Sequence, residues 1–312
     1  MKQKKLFSKF GMEPTFYPNF LNFPDIWYEK IYYSHTDGPW LNLMTNIIDQ
    51  MRGDDIKTRV KHPWLTRKSV NDGSVLEIPT PVYYKWDVFE KNYESLIKKL
   101  GVWGFVPSSE VCLESEGGCH LSFSFLEKTM EFGMERTTQA ISNLISYVQN
   151  HPSILWTFLS PWDNNSSEIA LSRCYGSMGK GYFLTHHKTS ESTYSKKLNP
   201  KFFRNTPPPN IYLNDRVELR FFMMPRNMEE CKLHFDFANA LLHYIWNETM
   251  KDRNIQKTMT QEKLRKYEFS GASDEIQSVC KTIGIDPKRL IASGKDELMK
   301  FRFSLGRDYL GK

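Results

Sequence analysis

Cysteine is scarce in this chain and shows no pairing: Cys112, Cys119, Cys174, Cys231 and Cys280 make five, an odd number, with no CxxC spacing. That excludes a disulfide framework and a zinc ribbon, and makes a reducing compartment the expected home. Long apolar runs are missing as well. The longest, Ile154 to Leu159, falls far short of the roughly 20 residues a membrane helix needs. The basic opening MKQKKLFSKFGME has no apolar segment of the kind a secretory signal carries. The expectation is a cytoplasmic protein without a membrane partner. No repeat or low-complexity tract appears, and the GxxxxGK[ST] spacing of a P-loop is absent. The string LSRCYGSMGKGYF, with Gly176, Gly179, Lys180 and Gly181, reads instead as a surface loop or a flap over a nucleotide.

A strong charge of one sign is also lacking. Lys and Arg number 42 against 36 Asp and Glu, a formal net of +6. Residues 251–312 hold 14 of the basic and 9 of the acidic side chains, so the preceding 250 residues are nearly neutral. Mixed charge of this kind reads as a solvated helical face, and nucleic acid is not an expected partner. The composition shift divides the chain into a main domain, 1–250, and a basic, mainly helical appendage, 251–312, where Ser273 is placed to cap a helix through Cys280 and Pro287 to open another.

What is present is a core-forming composition, 40% hydrophobic and 14% aromatic over 312 residues, enough to bury a sizeable interior. Apolar residues at helical spacing predict three helices. One runs from Trp86 to Leu100 with Gly101 as its stop, one passes through Ile141 to Val148 and ends near Asn150, and one uses Leu233 to Ile245. Strand patterns occur between them. FGMEPTF is a candidate opening strand, and NDGSVLE reads as a turn at Asn71–Ser74 leading into a short strand through Glu77. The layout is α+β, with helices covering one face of an antiparallel sheet whose other face carries polar groups.

Three polar constellations stand out. In NDRVELRFF, Arg216, Glu218 and Arg220 alternate with Val217, Leu219 and Phe221. On a strand such residues share one face at spacings of roughly 6.5 Å, close enough to grip one phosphate or metal ion. A solvated edge strand with cross-strand ion pairs is the alternative. In CLESEGGCHLSFSF, Glu114, Glu116, His120, Ser122 and Ser124 all fall at even positions around the Gly117–Gly118 pair, a set suited to hard cations. Upstream stand Glu13 and Glu77.

These pieces, in this order, resemble the amidoligase family, carboxylate-amine ligases that share the glutamine synthetase fold. The resemblance rests on Gly11-Met12-Glu13, on Asp72-Gly73-Ser74 with Glu77 and Thr80-Pro81, on Gly118-Cys119-His120-Leu121-Ser122, and on Arg216-x-Glu218-x-Arg220 before a helix, together spanning roughly residues 8 to 250. Thr15 and Ser122 stand where the family often has a second Glu and a second His. The resemblance implies a glutamine synthetase-like curved antiparallel sheet with helices packed on its outer face. It also implies ATP and Mg²⁺ or Mn²⁺ as cofactors, and amide formation through an acyl phosphate, with a carboxylate and an amine as substrates and a peptide or protein as a conceivable acceptor. Under it, Glu13, Glu77, Glu114, Glu116 and Glu218 would be metal ligands, His120, Ser122 and Arg216 would contact the nucleotide, and Arg216, Arg220 and Arg173 would stabilise the transferred group. Two other readings compete. One is a catalytically degraded protein of the same fold with a structural or assembly role, for example in a phage particle, as a homo-oligomer or with a partner. The other is a kinase acting on a guanidinium or similar acceptor.

Overall fold

The computed structural model describes residues 9–18, 70–72, 75–78, 80–102, 105–108, 118–158, 216–225, 227–256, 258–259 and 269–292. It is mixed helix and sheet, with two small antiparallel sheets. The strands are β1 (Phe10–Glu13), β2 (Thr15–Pro18), β3 (Val70–Asp72), β4 (Val75–Glu77), β5 (Phe105–Pro107), β6 (Gly118–Ser124) and β7 (Arg216–Met223). The helices are α1 (Trp86–Val102), α2 (Leu126–Asn150), α3 (Ser153–Phe158), α4 (Met228–Met250), α5 (Phe269–Ile283) and α6 (Lys288–Ala292).

In the first sheet β6 lies between β1 and β7; the second runs β3-β4-β2-β5. The alternation legible in the sequence becomes a two-faced layer. Register pairs Phe10 with Phe123 and Met12 with Leu121 on one side of β6, and Leu121 with Leu219 and Phe123 with Val217 on the other. Directly opposed residues in an antiparallel pair share a face. This set, with Cys119, forms the apolar face, and apart from the half-buried Phe10 every member is buried.

Helices cover that face because their own apolar stripes need it. On α1, Phe89, Tyr93, Leu96 and Leu100 recur at spacings of three and four and are fully buried. The Phe89 ring meets Phe235 of α4 edge-on at 5.0 Å between centroids, and Phe10 of β1 meets Phe235 at 5.3 Å. Helix α4 starts where Asn227 accepts a hydrogen bond from the Glu230 amide at 2.9 Å, with Glu229 and Glu230 in the positively polarised first turn. It is buried around most of its circumference, packing on α2, α5 and α1. The short α3 wedges Phe158 between Phe222 of β7, at 5.0 Å, and Phe237 of α4, at 4.4 Å.

A seam joins the two sheets. Residues 78 and 80–83 run along the edge of β1: Ile78 donates to the Pro14 carbonyl at 3.0 Å, Thr80 to Met12 O at 2.9 Å and Tyr83 to Phe10 O at 2.8 Å. The Met12 amide in turn donates to Thr80 Oγ1 at 2.9 Å. The buried Thr80 hydroxyl therefore stands in for a backbone acceptor just before Pro81, which has no amide to donate.

Some boundaries differ from expectation. Asn71 and Asp72, assigned to a turn, form the last residues of β3, because Asp72 pairs with Val75 across the hairpin. Gly101 lies inside the last turn of α1, since a glycine marks a helix end only where a left-handed residue is required. Ser273 lies within α5, which begins at Phe269. Pro287 does open α6, accepting from the Leu290 amide at 3.0 Å. Among the described residues, no helix is long and apolar enough to cross a membrane.

Candidate active site

Strand register brings positions from the polar constellations side by side. Glu13 closes β1 and stands opposite His120 on β6; Gly11 stands opposite Ser122. On the other side of β6, Ser122 is opposite Glu218 and Ser124 opposite Arg216. Residues more than a hundred positions apart are thus aligned across three strands by register alone.

The best-defined interaction there is a contact at hydrogen-bonding distance between an imidazole and a carboxylate. His120 Nδ1 lies 3.2 Å from Glu13 Oε2, and the two side chains are 10% and 12% exposed. A carboxylate on one ring nitrogen fixes the orientation of the imidazole and leaves the other nitrogen directed elsewhere, an arrangement common beside metals and in proton-transfer sites. Two residues along β6, Ser122 is 8% exposed and its Oγ has no hydrogen-bond partner among the described residues. A buried hydroxyl in that state carries an unmet desolvation cost.

Thr15 behaves differently. It follows Pro14 at the start of β2, is 3% exposed, and its Oγ1 is 2.7 Å from Ser108 Oγ. Its hydroxyl is part of the internal packing between β2 and the end of β5. Glu77 is opposite Thr15 on β4, in the second sheet.

Strand β7 carries a feature that sequence reasoning missed. Cys119 pairs with Phe222 but Leu121 pairs with Leu219, so two positions, Arg220 and Phe221, oppose the single His120. A bulge of this kind twists the strand and re-aims its side chains, and bulges are common beside functional sites. The plain alternation of Arg216, Glu218 and Arg220 therefore holds as far as Glu218 and is interrupted at Arg220. No glycine or proline signals it. Glu114, Glu116 and Arg173 lie outside the described residues. Among the described residues, no group of three His, Cys, Asp or Glu side chains comes together as a metal cage.

No family model matches this chain, and no curated protein does. Among solved structures it is similar to a bifunctional glutathione synthetase from Pasteurella multocida, with 14% identity and a TM-score of 0.40, over 98% of this chain and 49% of that one. The chain spans about half the length of that protein.

Proposed function

We propose that this chain is an ATP-dependent carboxylate-amine ligase of the amidoligase kind, with its site on the polar face of the sheet formed by β1, β6 and β7. The observation that carries the reading is the Glu13–His120 pair beside the buried Ser122 hydroxyl, which has no hydrogen-bond partner among the described residues, with Ser122 opposite Glu218 and Ser124 opposite Arg216 on β7. In this reading the two sheets and their seam are parts of one curved, glutamine synthetase-like layer. The reaction has two steps. A carboxylate oxygen attacks the γ-phosphorus and ADP leaves; an amine nitrogen then attacks the acyl carbon, phosphate leaves, and the nitrogen loses a proton.

Both steps gather negative charge, so the protein's work is positioning and electrostatic stabilisation. Mg²⁺ or Mn²⁺ would withdraw charge from the phosphate oxygens. Glu13 and Glu218 are the carboxylates assigned to it, with Glu77 and either Glu114 or Glu116 as further candidates. His120, oriented by Glu13, contacts the nucleotide phosphates. Arg216 and Arg220, planar and permanently charged, hold the transferred phosphoryl group or the acceptor carboxylate, with Arg173 a further candidate. The acceptor is a small carboxylate and amine pair or a peptide, in the cytoplasm.

The test is release of ADP from ATP and Mg²⁺ that depends on both a carboxylate and an amine. Arg216→Ala and His120→Ala should each lower the rate by about a hundredfold, the scale of one lost electrostatic contact to a transition state. A stable phosphorylated product with no amide would convert the assignment to a kinase.

A second reading keeps the fold without the chemistry: a structural or assembly protein, such as a component of a phage particle. The Thr15–Ser108 hydrogen bond favours it, because a residue beside the site has been absorbed into packing. No nucleotide binding at millimolar ATP, with a biological role that survives Glu218→Ala and Arg220→Ala, would establish it.

A further inference from the structure

The Glu13–His120 pair depends on where β1 places Glu13, and the edge of β1 away from β6 is held by an irregular partner. Phe10 and Tyr83 form an antiparallel bridge, each amide donating to the other's carbonyl, at 3.0 Å and 2.8 Å. In a plain ladder the next bonded pair along that edge would be Met12 with Pro81. Proline has no amide to donate. The register slips by one instead: the Met12 carbonyl takes the Thr80 amide at 2.9 Å, and the Pro14 carbonyl takes the Ile78 amide at 3.0 Å. Thr80 and Pro81 thus stand together against Met12, the pattern of a β-bulge.

The Met12 amide goes to the Thr80 hydroxyl at 2.9 Å, so Thr80 alone satisfies both backbone groups of Met12. Thr80 is 6% exposed and Met12 1%, which makes water a poor substitute for either bond. Pro14 offers no amide to this edge, and the bond from Met12 to Thr80 is the one adjacent to Glu13.

We infer that Thr80 is a positioning residue: through the backbone of Met12 its hydroxyl sets how Glu13 leaves β1, and so holds the carboxylate on His120 Nδ1, 3.2 Å away. The inference rests on the ligase reading for what the pair does, and on strand geometry for how the pair is held.

The consequence is read at His120 itself. A carboxylate on Nδ1 keeps the proton of the neutral ring on that nitrogen, whereas a free imidazole favours the proton on Nε2. Nitrogen-15 shifts of the histidine rings report the tautomer, measured on the full chain at about pH 9, above the ordinary imidazole range. His120→Asn assigns the signal. Wild type should show the Nδ1–H form. Thr80→Val, which keeps the shape and loses the hydroxyl, should shift His120 towards the Nε2–H form, as Glu13→Ala does, and Thr80→Ser should retain the wild-type form. ADP release should fall by about tenfold to a hundredfold in Thr80→Val, the scale of a misplacement passed to the site from outside it, and recover in Thr80→Ser.

A wild-type ring protonated on Nε2, a Thr80→Val protein that melts lower but keeps the Nδ1–H form, or a Thr80→Ser protein that loses it overturns the inference. Should Thr80→Val not fold, amide exchange in the wild type decides: protection of Met12 on a par with Phe10 supports the clamp, and exchange at least about tenfold faster overturns it. A shifted tautomer with unchanged ADP release removes the pair from the ligase reading and leaves the role of Thr80 standing. If wild type releases no ADP the ligase reading falls, and the tautomers still decide the role of Thr80.

Discussion

Ser122 shows what a single residue can reveal about a site. Its hydroxyl is buried and has no hydrogen-bond partner among the described residues, so Ser122→Ala should raise stability by roughly 1 kcal/mol through removal of an unmet polar group, measured by the urea midpoint. A clear loss of stability would mean that the hydroxyl has a partner within the fold and is no ligand contact. Asn143 is the opposite case. It is fully buried and donates to Thr249 Oγ1 at 2.9 Å and the Arg253 carbonyl at 2.8 Å while accepting from the Ile255 amide at 2.8 Å. Asn143→Ala strands all three and should cost about 3 kcal/mol in the same measurement. Glu248 adds a pH dependence. The hydrogen bond from Lys251, at 2.8 Å, and that from Arg253, at 2.6 Å, hold its carboxyl below the ordinary 4.5 against the opposing effect of burial. Because the folded value is depressed, the stabilisation is full above the unfolded carboxylate range and is lost as pH falls through the folded value. The stability gap between wild type and Glu248→Gln should therefore be constant near neutrality and close below about pH 4; a gap that widens in acid would contradict this assignment.

At the scale of elements, α2 is two helical runs joined at Gly133, whose φ of 84° and ψ of 166° are non-helical. That region is accessible essentially to glycine, so Gly133→Ala should cost about 1–3 kcal/mol even though its Cβ would meet nothing within 4 Å. A neutral substitution would show that the two runs can straighten into one helix. Periodicity predicted the second run, through Ile141 to Val148, but it cannot foresee how a preceding run will be angled. The same limit explains the bulge in β7. Alternation placed Arg216 and Glu218 in one row, whereas at the break opposite His120 the consecutive residues Phe221 and Phe222 are both buried and both meet Phe158. Helix α5 contributes a chemical prediction. Burial, with the charge of Asp286 as a smaller cause, pushes the Cys280 thiol from 9.0 up to about 12. With the folded value raised, its stabilising contribution is intact below about pH 9 and lost as pH climbs towards 12. Cys280 should resist iodoacetamide at pH 8.5 in the native protein and react fully in urea, read by mass spectrometry of its peptide; native labelling would mean that α5 opens readily.

For the whole molecule, the segment after α4 is fastened to α2. Asn150 donates to the Gln256 carbonyl at 2.8 Å and accepts from the Thr258 amide at 2.7 Å, seven residues along the same helix from Asn143. Beyond it, α5 packs on α3 and α4, Glu275 accepts from the Ser153 amide at 3.1 Å, and Arg289 of α6 donates to Asp236 at 2.8 Å. Charge composition set residues 251–312 apart, yet the described part of that segment is bound into the main helical layer. A chain ending at Met250 should therefore lose cooperative unfolding or aggregate, because it exposes the apolar surface that Ile276, Val279 and Ile283 cover. A shortened chain melting as sharply as the full one would establish the segment as an independent appendage.

The sequence by itself determined the period-two rows on β6 and β7, the apolar stripes of α1, α2 and α4, and the kinds of polar residue that end up on the open face, because all of these are local and follow from how side chains project from strands and helices. Tertiary structure decided which of them meet. Glu13 found His120 through a register fixed by burying Phe10 and Met12 against Phe123 and Leu121. Thr15 was turned towards Ser108, and Ser122 was left without a hydrogen-bond partner among the described residues, by contacts between strands that no spacing along the chain encodes.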